Sequence, residues 1–198
     1  MGHSRLFAGR LRCRPVIGLC RDSGSLGPPD TIDRAYAFLA SYRVAFGFPD
    51  ILFEPQDAFA RLIAQQDATG ADVVLGLQQI EHRHLWDMVD TDGDGRIRAI
   101  VMKPAQTALS HGWDCAVWTP RFTEFLHRFL QTEETRRNLS RWANKTNDPG
   151  GDLAVGAVFQ EALKAGLMFQ SVKFAETACL DVGTTENLAK AAREFSKS

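Results

Sequence analysis

The chain alternates short apolar runs with stretches in which apolar residues recur every three or four positions. The first pattern predicts buried strands and the second predicts amphipathic helices. Residues 15–20 hold the run Val-Ile-Gly-Leu-Cys, a predicted strand, followed by the turn-rich Ser-Gly-Ser-Leu-Gly-Pro-Pro-Asp. Asp30 or Thr31 is suited to cap a helix that carries Ile32, Ala35, Tyr36 and Leu39 on one face. Residues 44–48 form the next predicted strand, stopped by Pro49-Asp50. Pro55 suits the first turn of a helix with Phe59, Leu62 and Ile63 facing inward. Residues 73–77 are again a buried strand. Residues 86–89 and 97–102 read as two strands joined by the polar turn Asp90-Thr91-Asp92-Gly93-Asp94-Gly95. A strand at 112–119 leads to a helix opened by Pro120, with Phe122, Phe125, Leu126 and Phe129 on one side. Residues 131–152 are polar and predict an exposed excursion. A helix with Val158, Phe159, Ala162 and Leu163 follows, then strands at 168–174 and 178–180, and a last helix capped by Thr184. Strand and helix alternate with one antiparallel insertion, which predicts a mixed α/β sheet covered by helices in a single domain.

Composition narrows the class. Of 198 residues, 44% are apolar and 24% charged, enough to bury roughly 70% of the unfolded surface around one core. Lys plus Arg is 23 and Asp plus Glu is 24, a net charge of −1, which argues against nucleic acid or an anionic membrane as partner. No apolar run approaches the ~20 residues needed to span a bilayer. Cys13, Cys20, Cys115 and Cys179 form no C-x-x-C pair, and reduced thiols in a cytoplasmic protein are expected. The first 21 residues hold five arginines and no acid. Residues 1–15 are expected to be a poorly ordered tail, or a start placed upstream of the fold, in preference to a transit peptide. The α/β domain is assigned to residues 16–198.

Several groups could carry chemistry. The run Asp90 to Gly95 matches the opening of an EF-hand loop, but position 12 of that loop is Val101 where calcium needs a bidentate Glu. A hairpin turn rich in Asp and Gly is the expected outcome. The same run contains Asp90-x-Asp92, formally the D-x-D motif of a GT-A-like glycosyltransferase, though in a hairpin setting. His82-x-His84 has the spacing that puts two imidazoles on one strand face; a solvated loop is the expectation there. His111 and His127 are isolated in sequence. Asp50 ends the strand 44–48, and Asp181 follows Cys179-Leu180 just before Gly183-Thr184. Ligands of open α/β sheets bind beyond the carboxyl ends of strands. Two carboxylates there can share a hard cation such as Mg²⁺, or each can simply cap a turn or helix. Lys103-Pro104 closes a strand, where an ammonium can meet a phosphate. Trp113-Asp114 opens the next strand and offers either a sugar contact or a core Trp beside a surface Asp.

In order along the chain, these segments resemble the sugar-phosphate nucleotidylyltransferases, in particular the glucose-1-phosphate thymidylyltransferase-like branch. The resemblance runs over about residues 16 to 192. It rests on Pro28-Pro29-Asp30-Thr31-Ile32-Asp33-Arg34-Ala35-Tyr36, Phe48-Pro49-Asp50-Ile51-Leu52-Phe53 and Thr69-Gly70-Ala71-Asp72-Val73-Val74-Leu75-Gly76. It continues through Met88-Val89-Asp90, Lys103-Pro104, Trp113-Asp114-Cys115-Ala116-Val117-Trp118 and Leu180-Asp181-Val182-Gly183-Thr184.

The resemblance implies a Rossmann-like, GT-A-type mixed sheet flanked by helices. It implies a reaction in which a nucleoside triphosphate and a sugar 1-phosphate give a sugar nucleotide and pyrophosphate, with dTTP and glucose 1-phosphate the expected pair. Asp50 and Asp181 then correspond to Mg²⁺ ligands, with Asp50 also catalytic, and Lys103 to the lysine on the sugar phosphate. Asp30 and Thr31 fall in the segment along the nucleoside, and Trp113 and Asp114 near the sugar. The family's N-terminal glycine-rich triphosphate loop has no counterpart, so the domain is expected to be N-terminally truncated by roughly a hundred family residues. Met102 stands where many relatives carry Glu, and Thr31 where many carry Gly. A chain without that region is expected to expose a sheet edge and to be marginal or homo-oligomeric. A non-catalytic module that binds a sugar nucleotide or a partner subunit is the alternative function.

Overall fold

The computed structural model describes residues 27–53, 55–132, 153–174, 179–182 and 189. The strand predicted at 15–20, most of the excursion at 131–152, the N-terminal tail and the last helix lie outside the described residues. The elements run α1 (Pro28–Arg34), α2 (Tyr36–Leu39), β1 (Val44–Gly47), β2 (Ile51–Phe53), α3 (Ala58–Thr69), β3 (Val73–Gln79), β4 (Met88–Thr91), β5 (Ile97–Val101), β6 (His111–Trp118), α4 (Pro120–Gln131), α5 (Val155–Lys164), β7 (Phe169–Lys173) and β8 (Cys179–Asp181). They build a six-stranded mixed sheet in the order β5-β4-β6-β3-β7 with β1 also bonded to β6, and a separate pair β2-β8. The predicted α/β class is the one found.

β6 is the centre of the sheet, and residues 112–118 are all buried. The side chains of β3 and β6 divide between two faces, as the twofold strand period requires. On one face Trp113, Trp118, Val73, Leu75 and Leu77 meet Phe122 and Leu126 of α4, Val158 and Phe159 of α5, and Phe169. The rings interlock edge to face: Trp113–Phe159 centroids are 5.1 Å apart and Trp118–Phe122 5.2 Å. Each such side chain contributes about 1.5–3 kcal/mol through burial. On the other face Val74, Cys115, Val117 and Phe174 meet Ala58 and Leu62 of α3.

Local chemistry sets the ends. Pro120 occupies the first turn of α4, where its missing N–H is no loss. The first helix starts earlier than the polar residues suggest. Gly27 is its cap and Pro28 opens it, so Asp30 and Thr31 lie inside the first turn, and Asp30 pairs with Arg34 at 3.0 Å. Pro55 falls before the Asp57 cap of α3 and outside that helix. The segment 90–95 closes the hairpin of β4 and β5, with Asp90 and Thr91 still paired in β4 and the turn itself at 92–95. Asp92 Oδ1 accepts from the backbone N–H of Asp94 (3.0 Å) and Arg96 (2.9 Å), and Gly95 supplies a φ of 79° that costs a β-carbon-bearing residue far more. His82 caps a single 3₁₀ turn, Arg83–Leu85, and His84 lies within it; both are exposed.

Gly76 is a point of close packing between β3 and β6. A Cβ there would stand 2.5 Å from Cys115 Sγ and 2.8 Å from Phe174 Cε2. Gly76→Ala is expected to destabilise the fold by about 1–3 kcal/mol, the usual cost of overpacking. Chemical denaturation of that variant beside Gly76→Ala/Cys115→Ala checks the cause, because removing the thiol should restore part of the loss.

Candidate functional site

Strand polarity gathers the candidate residues. β1, β3 and β4 all run antiparallel to β6, and β7 runs parallel to β3. Their carboxyl ends therefore share one rim with the amino end of β6, the location at which open α/β sheets hold ligands. β3 pairs with β6 along its whole length, Val73↔Trp118 to Gln79↔His111. β1 and β4 must therefore both use the opposite edge of β6. β1 stops at Gly47↔Cys115 and β4 starts at Met88↔Gly112. Among the described residues the outer edge of β6 has no strand partner between them, over Trp113 and Asp114, and leaves a notch in the sheet.

The register places other residues around this notch. Asp50 follows β1 in an exposed turn closed by Ile51 N–H to Phe48 O, 3.3 Å. Val101 at the end of β5 lies in register with Met88, and Lys103 follows it by two residues. β2 turns away from β1 and pairs with β8, Ile51↔Asp181, and Val182 N–H donates to Asp50 O at 2.7 Å. The backbones of Asp50 and Asp181, far apart in sequence, are thus neighbours across a two-stranded ladder. Asp181 is the last residue of β8 itself. Asp30 and Thr31 are not brought to the notch by any strand register; α1 packs within the helical layer against α4 and α5.

Asp114 sits at a β-bulge. Gly76 faces Cys115 while Leu77 faces Trp113, which leaves Asp114 as the extra residue without a partner. Bulges re-aim side chains and cluster next to sites. Here the bulge brings Asp114 Oδ1 within 3.2 Å of where a Gly76 Cβ would be. Asp114 is 0% exposed, so the surface Asp that its type suggests is not what forms. Neither carboxylate oxygen meets a donor with hydrogen-bond geometry. Burial pushes its pKa up, and the nearby Cys115 and Gln78 only partly oppose this. Trp113 is equally enclosed, its ring 5.5 Å from Phe48 and 6.3 Å from Phe46.

Lys103 is the single non-glycine residue with positive φ among those described, at 35°. It also precedes Pro104, which normally pushes its neighbour to extended backbone. Such strain persists where surrounding structure fixes it and concentrates at functional sites. At the same rim, burial lowers the pKa of His111, with Lys173 adding to the effect. Among the described residues no group of three or more His, Cys, Asp or Glu could hold a metal ion. No described helix is long and apolar enough to cross a membrane.

A second polar cluster is invisible to sequence spacing. His127 of α4 stacks on Tyr36 with centroids 3.9 Å apart and meets Asp33 Oδ1 at 2.8 Å. The Tyr36 hydroxyl donates to Glu124, which raises the Tyr36 pKa and lowers that of Glu124, with Arg128 assisting the latter. This cluster fastens α1 and α2 onto α4.

Two variants test these assignments. Because the folded pKa of Asp114 is raised, its stabilising protonated form is fully present below the unfolded value of about 3.9. That contribution is lost as pH rises through the folded value. Asp114→Asn should therefore gain stability over the parent as pH rises from acid to neutral, by about 1–3 kcal/mol at the top. Melting curves across pH read this, and a gain that is flat with pH would contradict it. Lys103→Gly should stabilise the fold by about 1 kcal/mol by relieving the backbone, as urea titration would report.

The sequence matches no protein-family model and no curated protein. Solved structures do match. A Bacillus anthracis protein assigned as a glucose-1-phosphate thymidylyltransferase, in complex with sucrose, superposes with a TM-score of 0.64 at 12% identity, covering 87% of this chain and 62% of that one. The UTP-bound UGPase from Acinetobacter baumannii gives 0.62 at 14% identity over 86% and 56% of the two chains. A UDP-glucose pyrophosphorylase complexed with UDP-glucose gives 0.65 at 13% identity over 88% and 64%. This chain thus spans 56–64% of the length of these structures. Over most of its own length it has the fold of the sugar-phosphate nucleotidylyltransferases.

Proposed function

We propose that the chain is a nucleotidylyltransferase-like domain whose reaction joins a nucleoside triphosphate to a sugar 1-phosphate and releases pyrophosphate, with dTTP and glucose 1-phosphate as substrates. The observation that supports this reading is the unpaired stretch of β6 between β1 and β4, with Asp50 following β1 and Lys103 following β5 in sequence, in a fold shared with structures that hold UTP and UDP-glucose. The cytoplasm is the proposed compartment, in keeping with the buried Cys115 thiol.

Asp50 and Asp181 would hold Mg²⁺. Their oxygens are the hard donors this ion prefers, two carboxylates leave positions for water and phosphate, and their backbones adjoin. When bound, the ion would neutralise phosphate charge. The remaining roles belong to the chain. The Lys103 ammonium is a compact point charge for the sugar phosphate. Its strained backbone and Pro104 limit the reorganisation needed to use it, the condition under which a fixed charge stabilises a transition state most. Asp30 and Thr31 would lie along the nucleoside. Trp113 and Asp114, both buried, would form the floor of the sugar side and exclude water from it.

A second reading is a non-catalytic module that binds a sugar nucleotide or a partner subunit. Pyrophosphate release from dTTP and glucose 1-phosphate with Mg²⁺ separates the two. Catalysis predicts release that falls by about 10²–10³ in Asp50→Ala and in Lys103→Ala. Binding of a sugar nucleotide by calorimetry without any release would establish the second reading.

A further inference from the structure

Asp30 and Thr31 lie on a helix that cannot hold its place alone. α1 has seven residues and α2 four, both well below the length at which an isolated helix persists in water. Pro29 is the one buried residue of α1, and α2 has none. Ile32 is only partly buried against the main core. Apolar burial therefore fixes little of this pair.

Helix α4 supplies the rest. Its Phe122, Leu126 and Leu130 are buried in the main core, so α4 is itself firmly anchored. A different face of α4 carries Glu124, His127 and Arg128, at the i, i+3, i+4 spacing that makes helix neighbours. His127 Nδ1 meets Asp33 Oδ1 of α1 at 2.8 Å, and its ring stacks on Tyr36, the first residue of α2. Glu124 accepts from the Tyr36 hydroxyl and from Arg128. Asp33 and Tyr36 stand on either side of Ala35, where α1 ends and α2 begins. A grip on both sides of that joint orients the two short helices as a unit.

We propose that Glu124 and His127 are positioning residues for the nucleoside: they act through α1 and not on the substrate. The inference rests on the nucleotidylyltransferase reading above, in which Asp30 and Thr31 lie along the nucleoside. Both precede Asp33 by no more than three residues, less than one helical turn, so displacement at the grip is passed directly to them. An apparent dissociation constant rises in inverse proportion to the fraction of protein held in the binding-competent arrangement. Loosening the grip therefore weakens the nucleotide while the sheet stays intact.

Calorimetric titration of the full chain with dTTP and Mg²⁺, beside amide exchange, tests this. His127→Ala and Glu124→Ala are expected to weaken dTTP about tenfold, the result of a tenfold fall in the docked fraction. Amides of residues 28–39 should exchange faster in both, while those of β3 and β6 keep the parental rates. Glu124→Gln retains an acceptor for the Tyr36 hydroxyl and should bind dTTP almost as the parent does. Parental dTTP affinity in both alanine variants would overturn the proposal. So would weakening without faster exchange at 28–39, or weakening matched by lost protection in β3 and β6, which would mark general unfolding. A parent chain that binds no dTTP would overturn the nucleotide reading itself, and this proposal with it.

Discussion

The pairing of β6 is the constraint on which everything else rests. This strand is bonded to β3 along its whole length and to β1 and β4 at different heights on its other edge. Its residues from Gly112 to Trp118 are buried, so its register cannot slip without moving Trp113 and Trp118 out of one core and Cys115 and Val117 out of the other. The gap between β1 and β4 follows directly, as does the bulge at Asp114. The rim notch is a product of strand pairing, and the side chains around it are there because of register.

A cost is built into that arrangement. Asp114 is a fully buried carboxyl that Cys115 and Gln78 only partly compensate, and Lys103 holds a backbone angle that its residue type disfavours. Asp114 lies in the unpaired stretch of β6, and Lys103 lies two residues past β5. A fold selected only for stability would replace them with an apolar residue and a glycine, since unpaired buried charge and positive φ each cost of order 1–3 kcal/mol. These two costs make the notch, and not the hairpin of acidic residues at 90–95, the centre of the proposed functional reading. That hairpin has an ordinary structural explanation in the Asx-type bonds of Asp92 and the positive φ of Gly95.

Much of the fold was legible in the chain. Phe122, Phe125, Leu126 and Phe129 announce α4, and the apolar runs around Val73 and Ala116 announce the central strands, because local period and burial agree there. What was not legible depends on distant partners. The three residues of β2 are too short to signal a strand, and they form one only because β8 supplies the bonds; that ladder is what makes Asp50 and Asp181 neighbours. The burial of Asp114 requires a bulge that only the offset between β3 and β6 creates. His127 looks isolated because Asp33 and Tyr36 reach it across the interface of α1 and α2 with α4. The start of α1 was misplaced because Gly27 and Pro28, not Asp30 or Thr31, define it.

On the proposed reading a divalent ion is held where the turn after β1 adjoins the end of β8, at Asp50 and Asp181. Titrating Mn²⁺ into ¹⁵N-labelled protein and following paramagnetic broadening of the amide signals tests it most directly. The account predicts that Asp50, Ile51, Asp181 and Val182 broaden first, followed by Lys103 and the residues of the notch, with the effect lost in Asp50→Ala. Broadening that begins at Asp90, Asp92 and Asp94, or that spreads evenly over the surface acids, would contradict it.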